Sequence, residues 1–232
     1  MILTNSRYHI LEQIGIGGTG EIFKSEDLRL HRTVAIKTLR NHSSNGHLSA
    51  QQILQEARTL ASLNHPSIAT LYEVDEADDQ PFLIMEYVEG ETLAEHLQRG
   101  PLSLNQSIDI AIQVAEALQW SHAHRVLQGD LKSSNIMVTT GSRGKLLDFG
   151  LARLLKQSDP NSPEGLVSGS VRSLAPEVIQ GRPPDERSEI FSLGVILYET
   201  LSGQHPFDGD YPAETARSIL LHEPKPLSTF RD

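Results

Sequence analysis

Two kinds of hydrophobic spacing divide this chain. Tyr8 to Ile16, Glu21 to Leu28 and Thr33 to Leu39 follow a period of two, the last around Val34 and Ile36, which predicts three strands with a glycine cluster between the first two. Residues 41–47 are a polar loop. Ile53, Leu54, Ala57, Leu60 and Ala61 then fall at helical spacing and predict a helix over Leu48–Leu63, stopped by His65-Pro66. Further strands are expected near Ile68–Val74 and Phe82–Val88. Glu89-Gly90-Glu91 reads as a polar crossing, and the boundary between two lobes is placed there.

Beyond it the spacing becomes helical. Leu104, Ile108, Ile112, Ala115 and Leu118 form an apolar stripe predicting a long helix. Glu189 to Leu201 is apolar enough to read as a buried central helix, and a shorter one is expected around Ala213–Leu221. Short strands are expected near Ile136–Val138 and Lys145–Leu147. Leu151 to Leu174, rich in serine and proline, exceeds the usual connection length and reads as a functional or mobile loop rather than a linker.

The 232 residues suffice for one large domain or two lobes, and 38% hydrophobic with 22% charged residues is ordinary for a globular protein. A net charge of -10 argues against nucleic-acid binding. No cysteine is present, which excludes disulfides and zinc-thiolate sites. With neither a signal peptide nor a membrane-length apolar run, the expected location is cytoplasmic.

The most informative stretch is Gln128-Gly129-Asp130-Leu131-Lys132-Ser133-Ser134-Asn135, followed by Asp148-Phe149-Gly150. It groups a carboxylate, an ammonium and a carboxamide, then adds a second carboxylate. Phosphoryl transfer needs one acid to orient the nucleophile, and an acid and an amide to hold a charge-neutralising metal. Gly15-Ile16-Gly17-Gly18-Thr19-Gly20 would let backbone amides approach phosphate, although a hairpin turn has the same pattern. A Rossmann turn fits less well, because a strand rather than a helix follows Gly20. Lys37, inside the apolar strand Val34-Ala35-Ile36-Lys37, needs an anionic partner if buried, and Glu56 is the candidate; the alternative is an edge lysine in water. Trp120 reads as core, Glu73 to Asp79 as a solvated acidic turn, and His122 and His124 as no metal pair.

These motifs occur in one order: glycine loop, Val-Ala-Ile-Lys37, Glu56, His65-Pro66, Met85-Glu86-Tyr87-Val88, Asp130 to Asn135, Asp148-Phe-Gly150, Ala175-Pro-Glu177. In that order the chain resembles a eukaryotic-type serine/threonine protein kinase of the kind also found in bacteria. The resemblance implies an α+β bilobal fold. Its N-lobe (1–88) is a small antiparallel sheet plus one helix; its C-lobe (89–232) is mostly helical and lacks its last helices. It implies ATP with Mg2+ or Mn2+ as cofactors and a protein with a serine or threonine acceptor as partner. Lys37, paired with Glu56, would hold the α- and β-phosphates, and Ile14, Gly15, Gly17 and Gly20 would cover the nucleotide. Adenine would lie between Ile22, Ala35 and Met137, its edge meeting the Glu86 carbonyl and Val88 amide, with Met85 behind. Asp130 would orient the substrate hydroxyl, Lys132 would offset charge on the transferred group, and Asn135 and Asp148 would bind the metal.

The chain departs from the family pattern at several points. Gln128 stands for a histidine packed under Phe149, so a buried amide there needs partners. Gly129 replaces the arginine that pairs with a phosphorylated loop residue, so phosphate on Ser158, Ser162 or Ser168 lacks its docking charge. Glu189 stands where an aspartate anchors the catalytic-loop backbone, while Ser170 keeps the hydroxyl of the usual threonine. The chain ends before the helix whose arginine would pair with Glu177, which reads as truncation. Two further functions compete: a nucleotide-binding pseudokinase or scaffold, and a small-molecule kinase of the aminoglycoside phosphotransferase type, against which stand Lys132 and Ala175-Pro-Glu177.

Overall fold

The computed structural model describes residues 7–17, 20–39, 57, 60–61, 63–77, 80–149, 171–207 and 209–230. The expected partner Glu56, most of the helix expected over Leu48–Leu63, Ser158, Ser162, Ser168 and Ser170 lie outside them. The described residues fall into two compact units, one of residues 7–65 and 69–88, the other of 66–68 and 89–230. No helix among the described residues is long and apolar enough to cross a membrane.

The first unit is a five-stranded antiparallel sheet of β1 (Tyr8–Gly17), β2 (Gly20–Asp27), β3 (Arg32–Thr38), β4 (Leu71–Ala77) and β5 (Gln80–Glu86), in the order β1-β2-β3-β5-β4. Alternation sends Val34, Ile36, Phe82 and Ile84 to one face, where they bury with Tyr8. The fourth strand starts later than its apolar residues suggest, because Ile68 bridges Leu146 in the other set of elements. The expected acidic turn is corrected likewise: Glu73, Asp75 and Glu76 lie within β4, and Glu73 is engaged by the side chains of Arg7 and Tyr8.

That engagement belongs to a charge cluster built around one buried carboxylate. Asp27, at the end of β2, is fully buried and accepts from Arg7 Nε at 3.1 Å and Nη2 at 2.9 Å. The amides of Arg29 and Leu30 also donate to its Oδ1, fixing the β2–β3 turn. Arg7 Nη1 reaches Glu73 at 2.8 Å, and Tyr8 donates its hydroxyl to the same oxygen at 3.2 Å. The Arg7 bonds and the turn amides hold Asp27 below the usual carboxylate range.

The second unit has a three-stranded antiparallel sheet, β6 (Gly90–Thr92), β7 (Ile136–Thr139) and β8 (Gly144–Leu146), and helices α1 (Leu93–Leu97), α2 (Leu104–Ala123), α3 (Pro176–Ile179), α4 (Glu186–Ser202) and α5 (Pro212–Leu221). The crossing read at Glu89-Gly90-Glu91 therefore contributes a strand. Capping boxes of Ser103 with Gln106 and Asp185 with Ser188 start α2 and α4, and Gly203 at φ 71 ends α4.

Two helical faces differ from expectation. In α2 the buried residues are Ser107, Ile110, Val114, Ala117, Leu118 and Ser121, whereas Leu104, Ile108 and Ile112 are exposed. In α4, Ser188, Glu189 and Ser192 turn inward with Val195 and Ile196, and Ile190 is exposed. The reason is common to both. Serines of small volume admit close approach, and Ser192 donates to the Ser173 carbonyl at 2.6 Å, so a partly polar face is the one that docks. Trp120 is also not core: it is 41% exposed, with its ring 4.7 Å from that of His124.

Replacing Asp27 by alanine strands Arg7 and two turn amides, and lowers the unfolding free energy at neutral pH by about 3 kcal/mol. Because the folded state depresses this carboxyl, its contribution is complete above its unfolded value and fades as pH falls from about 4. Urea melts at several pH values check this: the gap between wild type and Asp27→Ala narrows in acid, and a gap constant down to about pH 2 would refute the assignment.

Candidate active site

The site residues of the second unit come from a short loop and the strands around it. Ser133–Asn135 is one turn of 3-10 helix between extended Lys132 and β7. This turn folds Asn135 back onto the loop: its Nδ2 donates to the Asp130 carbonyl at 2.8 Å and to Asp130 Oδ2 at 3.1 Å. Lys132 Nζ lies 2.5 Å from the same carboxylate oxygen. One oxygen of Asp130 is thus gripped twice, and its other oxygen takes no part in these bonds. Asn135 is buried, and its Oδ1 is engaged by neither bond.

Leu147 couples this loop to Asp148. Its amide donates to the Asn135 carbonyl at 2.8 Å, and its carbonyl accepts from Gln128 Nε2 at 3.3 Å. Asp148 follows in the left-handed region, at φ 52, an uncommon conformation for a residue with a side chain. Gln128 is fully buried and its carboxamide is satisfied at both ends, because Oε1 accepts from the Asp130 amide at 2.7 Å. Phe149 is buried, as a core residue should be.

Glu189 holds the loop from α4. Its Oε1 accepts from the Gly129 amide at 2.7 Å, and its Oε2 meets His122 Nε2 at 2.6 Å. Gly129 adopts φ 83, a conformation that glycine takes without cost. The longer glutamate is therefore accommodated by a second partner at the end of α2. His122 is the residue the sequence reading missed. Its signal was its place at the end of a long helix, eight residues before Asp130, rather than any spacing to His124.

In the first unit, Ile22, Lys37 and Leu83 are cross-strand neighbours, as are Ala35 and Met85. These five share the sheet face opposite the Val34–Ile36 core, so Ile22, Ala35 and Lys37 are brought together. Lys37 is 3% exposed. Gly15 pairs with Ile22 and Gly17 with Gly20, while Ile14 lies in a bulge of β1 and is half exposed. At Gly20, φ is +151 and a Cβ would stand 1.7 Å from the Thr38 carbonyl, so no other residue fits. Thr38 Oγ1 also accepts from the Glu21 amide at 3.1 Å, tying the glycine-loop exit to the residue after Lys37. Glu86 anchors β5 through its amide and side chain, both bonded to Thr70, and Val88 is buried. Met137 lies in β7 of the second unit, paired with Thr92 and Lys145.

Residues 8–227 match the protein kinase domain family, and the chain belongs to it. It is 36% identical to Serine/threonine-protein kinase PknB of Mycobacterium leprae over 229 residues, covering 97% of this chain and 37% of that protein. It is likewise 37% identical to Serine/threonine-protein kinase PrkC of Bacillus subtilis over 218 residues, covering 94% of this chain and 33% of that protein. The chain therefore spans about a third of the length of these relatives. The five-stranded sheet and the largely helical second unit are those of the bilobal protein kinase fold.

In this chain the aspartate usual for the family at position 189 is not neutral. Glu189→Asp shortens a carboxylate that spans two partners, leaves either His122 or the part-buried Gly129 amide unbonded, and costs about 1–3 kcal/mol. Chemical denaturation measures this, and an unchanged midpoint would show that Glu189 does not span the two.

Proposed function

We propose that the chain is the catalytic domain of a protein serine/threonine kinase, which transfers the γ-phosphate of ATP to a serine or threonine hydroxyl of another protein. The observation that carries the reading is the double grip on Asp130 Oδ2 by Lys132 and Asn135, with Asn135 tied through Leu147 to the backbone entering Asp148. That arrangement aligns an acid, a cation and two hard oxygen donors, the groups phosphoryl transfer uses.

Each residue has a role in this reading. Ile22 and Ala35 pack on the adenine, and the Glu86 carbonyl and Val88 amide read its edge. Gly15, Gly17 and Gly20 let the backbone approach the phosphates, and Lys37 pairs with the α- and β-phosphates; its expected partner Glu56 lies outside the described residues. The carboxylate of Asp148 and Oδ1 of Asn135 are oxygen donors of the type Mg2+ takes, so the residues present fit that ion. When bound, the metal neutralises charge on the β- and γ-phosphates. Asp130 orients the acceptor hydroxyl, whose oxygen bonds to the γ-phosphorus as the bond to the ADP oxygen breaks. The hydroxyl proton passes to Asp130, and Lys132 offsets negative charge on the transferring group. A lysine two residues after Asp130, together with the similarity to serine/threonine-protein kinases, supports serine and threonine as acceptors.

Purified protein with Mg2+, labelled ATP and a generic basic protein tests the reading. Asp130→Asn removes the acid and lowers kcat by a factor of about 10²–10⁴ while nucleotide binding persists. Transfer by the wild type no faster than by that variant would sink the enzyme reading. If ATP still raised the melting temperature, a nucleotide-binding scaffold would take its place.

A further inference from the structure

We propose that Gln128 is a positioning residue that sets the catalytic acid and the metal-binding carboxylate in one frame, an inference that rests on the kinase reading above. A wholly buried primary amide offers two donors and an acceptor, and must satisfy them locally. Here the acceptor takes the Asp130 N–H at 2.7 Å and a donor takes the Leu147 carbonyl at 3.3 Å. The two backbone groups belong to segments distant in sequence, one carrying Asp130 and the other leading directly into Asp148. The carboxamide is planar and short, so it fixes the separation of those peptide units.

The contact with Leu147 matters most for Asp148. Leu147 is held on both sides, by the Asn135 carbonyl at its amide and by Gln128 at its carbonyl. The peptide unit entering Asp148 therefore cannot rotate freely, and Asp148 is kept at φ 52, which its own preferences disfavour. Asn135 and Asp148, the two residues that would hold the metal, are in this way connected through a single residue whose orientation Gln128 controls. Outer partners of metal-binding groups act by such means, and their loss typically weakens metal affinity by about 10–100-fold.

The two contacts are separable. Asparagine at position 128 is one methylene shorter, keeps the bond to the amide two residues on, which is the natural reach of that side chain, and loses the bond to Leu147. Methionine has nearly the same shape and loses both. The readouts are the Mg2+ concentration for half-maximal thermal stabilisation by ADP, and kcat measured separately from KM for the protein substrate. Gln128→Asn is expected to raise the Mg2+ midpoint about tenfold with kcat at saturating Mg2+ within a few-fold of wild type. Gln128→Met is expected to raise the midpoint similarly and to lower kcat at saturating Mg2+ by more than tenfold, with KM for the protein substrate unchanged. Variants that melt earlier but keep the wild-type Mg2+ midpoint and kcat would overturn the proposal, reducing Gln128 to a packing residue. If Gln128→Met does not fold, the Mg2+ midpoint of Gln128→Asn alone decides. If the parent chain transfers no phosphate, the kinase reading fails, yet a raised Mg2+ midpoint still upholds the positioning role and an unmoved one ends it. A parent chain that Mg2+ and ADP do not stabilise at all would overturn both.

Discussion

An irregular segment that is buried must find partners for its backbone groups among side chains, since no ladder or helix supplies them. The second unit answers that constraint with a closed circuit. Glu189 receives the Gly129 amide, Gln128 receives the Asp130 amide, Asn135 returns to the Asp130 carbonyl, and Leu147 connects Asn135 back to Gln128. Each neutral bond contributes about 1 kcal/mol net, yet an orphaned member costs more than that, so the circuit is most sensitive to the loss of one part. Asp130, Lys132 and Asn135 are set by the bonds with which the loop satisfies itself.

The first unit meets a related constraint differently. A lysine and two small or aliphatic residues occupy one face of a sheet whose opposite face is an ordinary core. Regular strand alternation alone brings Ile22, Ala35 and Lys37 together, so no irregular backbone is needed except at Gly20, where the Thr38 carbonyl leaves no room for a side chain. The buried carboxylate of this unit, Asp27, is placed at the far end of β2, where it closes a turn and holds the partly exposed Arg7.

How much of this the sequence disclosed follows from what each pattern encodes. Period-two alternation located the strands around Val34 and Phe82, because one sheet face is apolar throughout. The ordered motifs identified Asp130, Lys132, Asn135 and Asp148 as a group, and even the need of Gln128 for partners. The apolar stripe found the helix α2 but not its docking face, since Leu104, Ile108 and Ile112 are exposed, and the same reasoning buried Ile190 and Trp120. Hydrophobicity was summed there without regard to Ser107, Ser188 and Ser192, whose small volume selects the docking face. His122 escaped because its partner, Glu189, lies 67 positions away, and no local spacing reports a contact made by the fold.

Gly129 has a mechanical consequence. A residue with a side chain held at φ 83 would store roughly 1–3 kcal/mol of backbone strain, which a binding partner could release to move the loop. Glycine stores none. The loop of this chain is relaxed in its working shape, less a cocked spring than a fixed bracket. Any molecule that switches it at this residue must supply the energy from its own binding, since Gly129 holds no reserve.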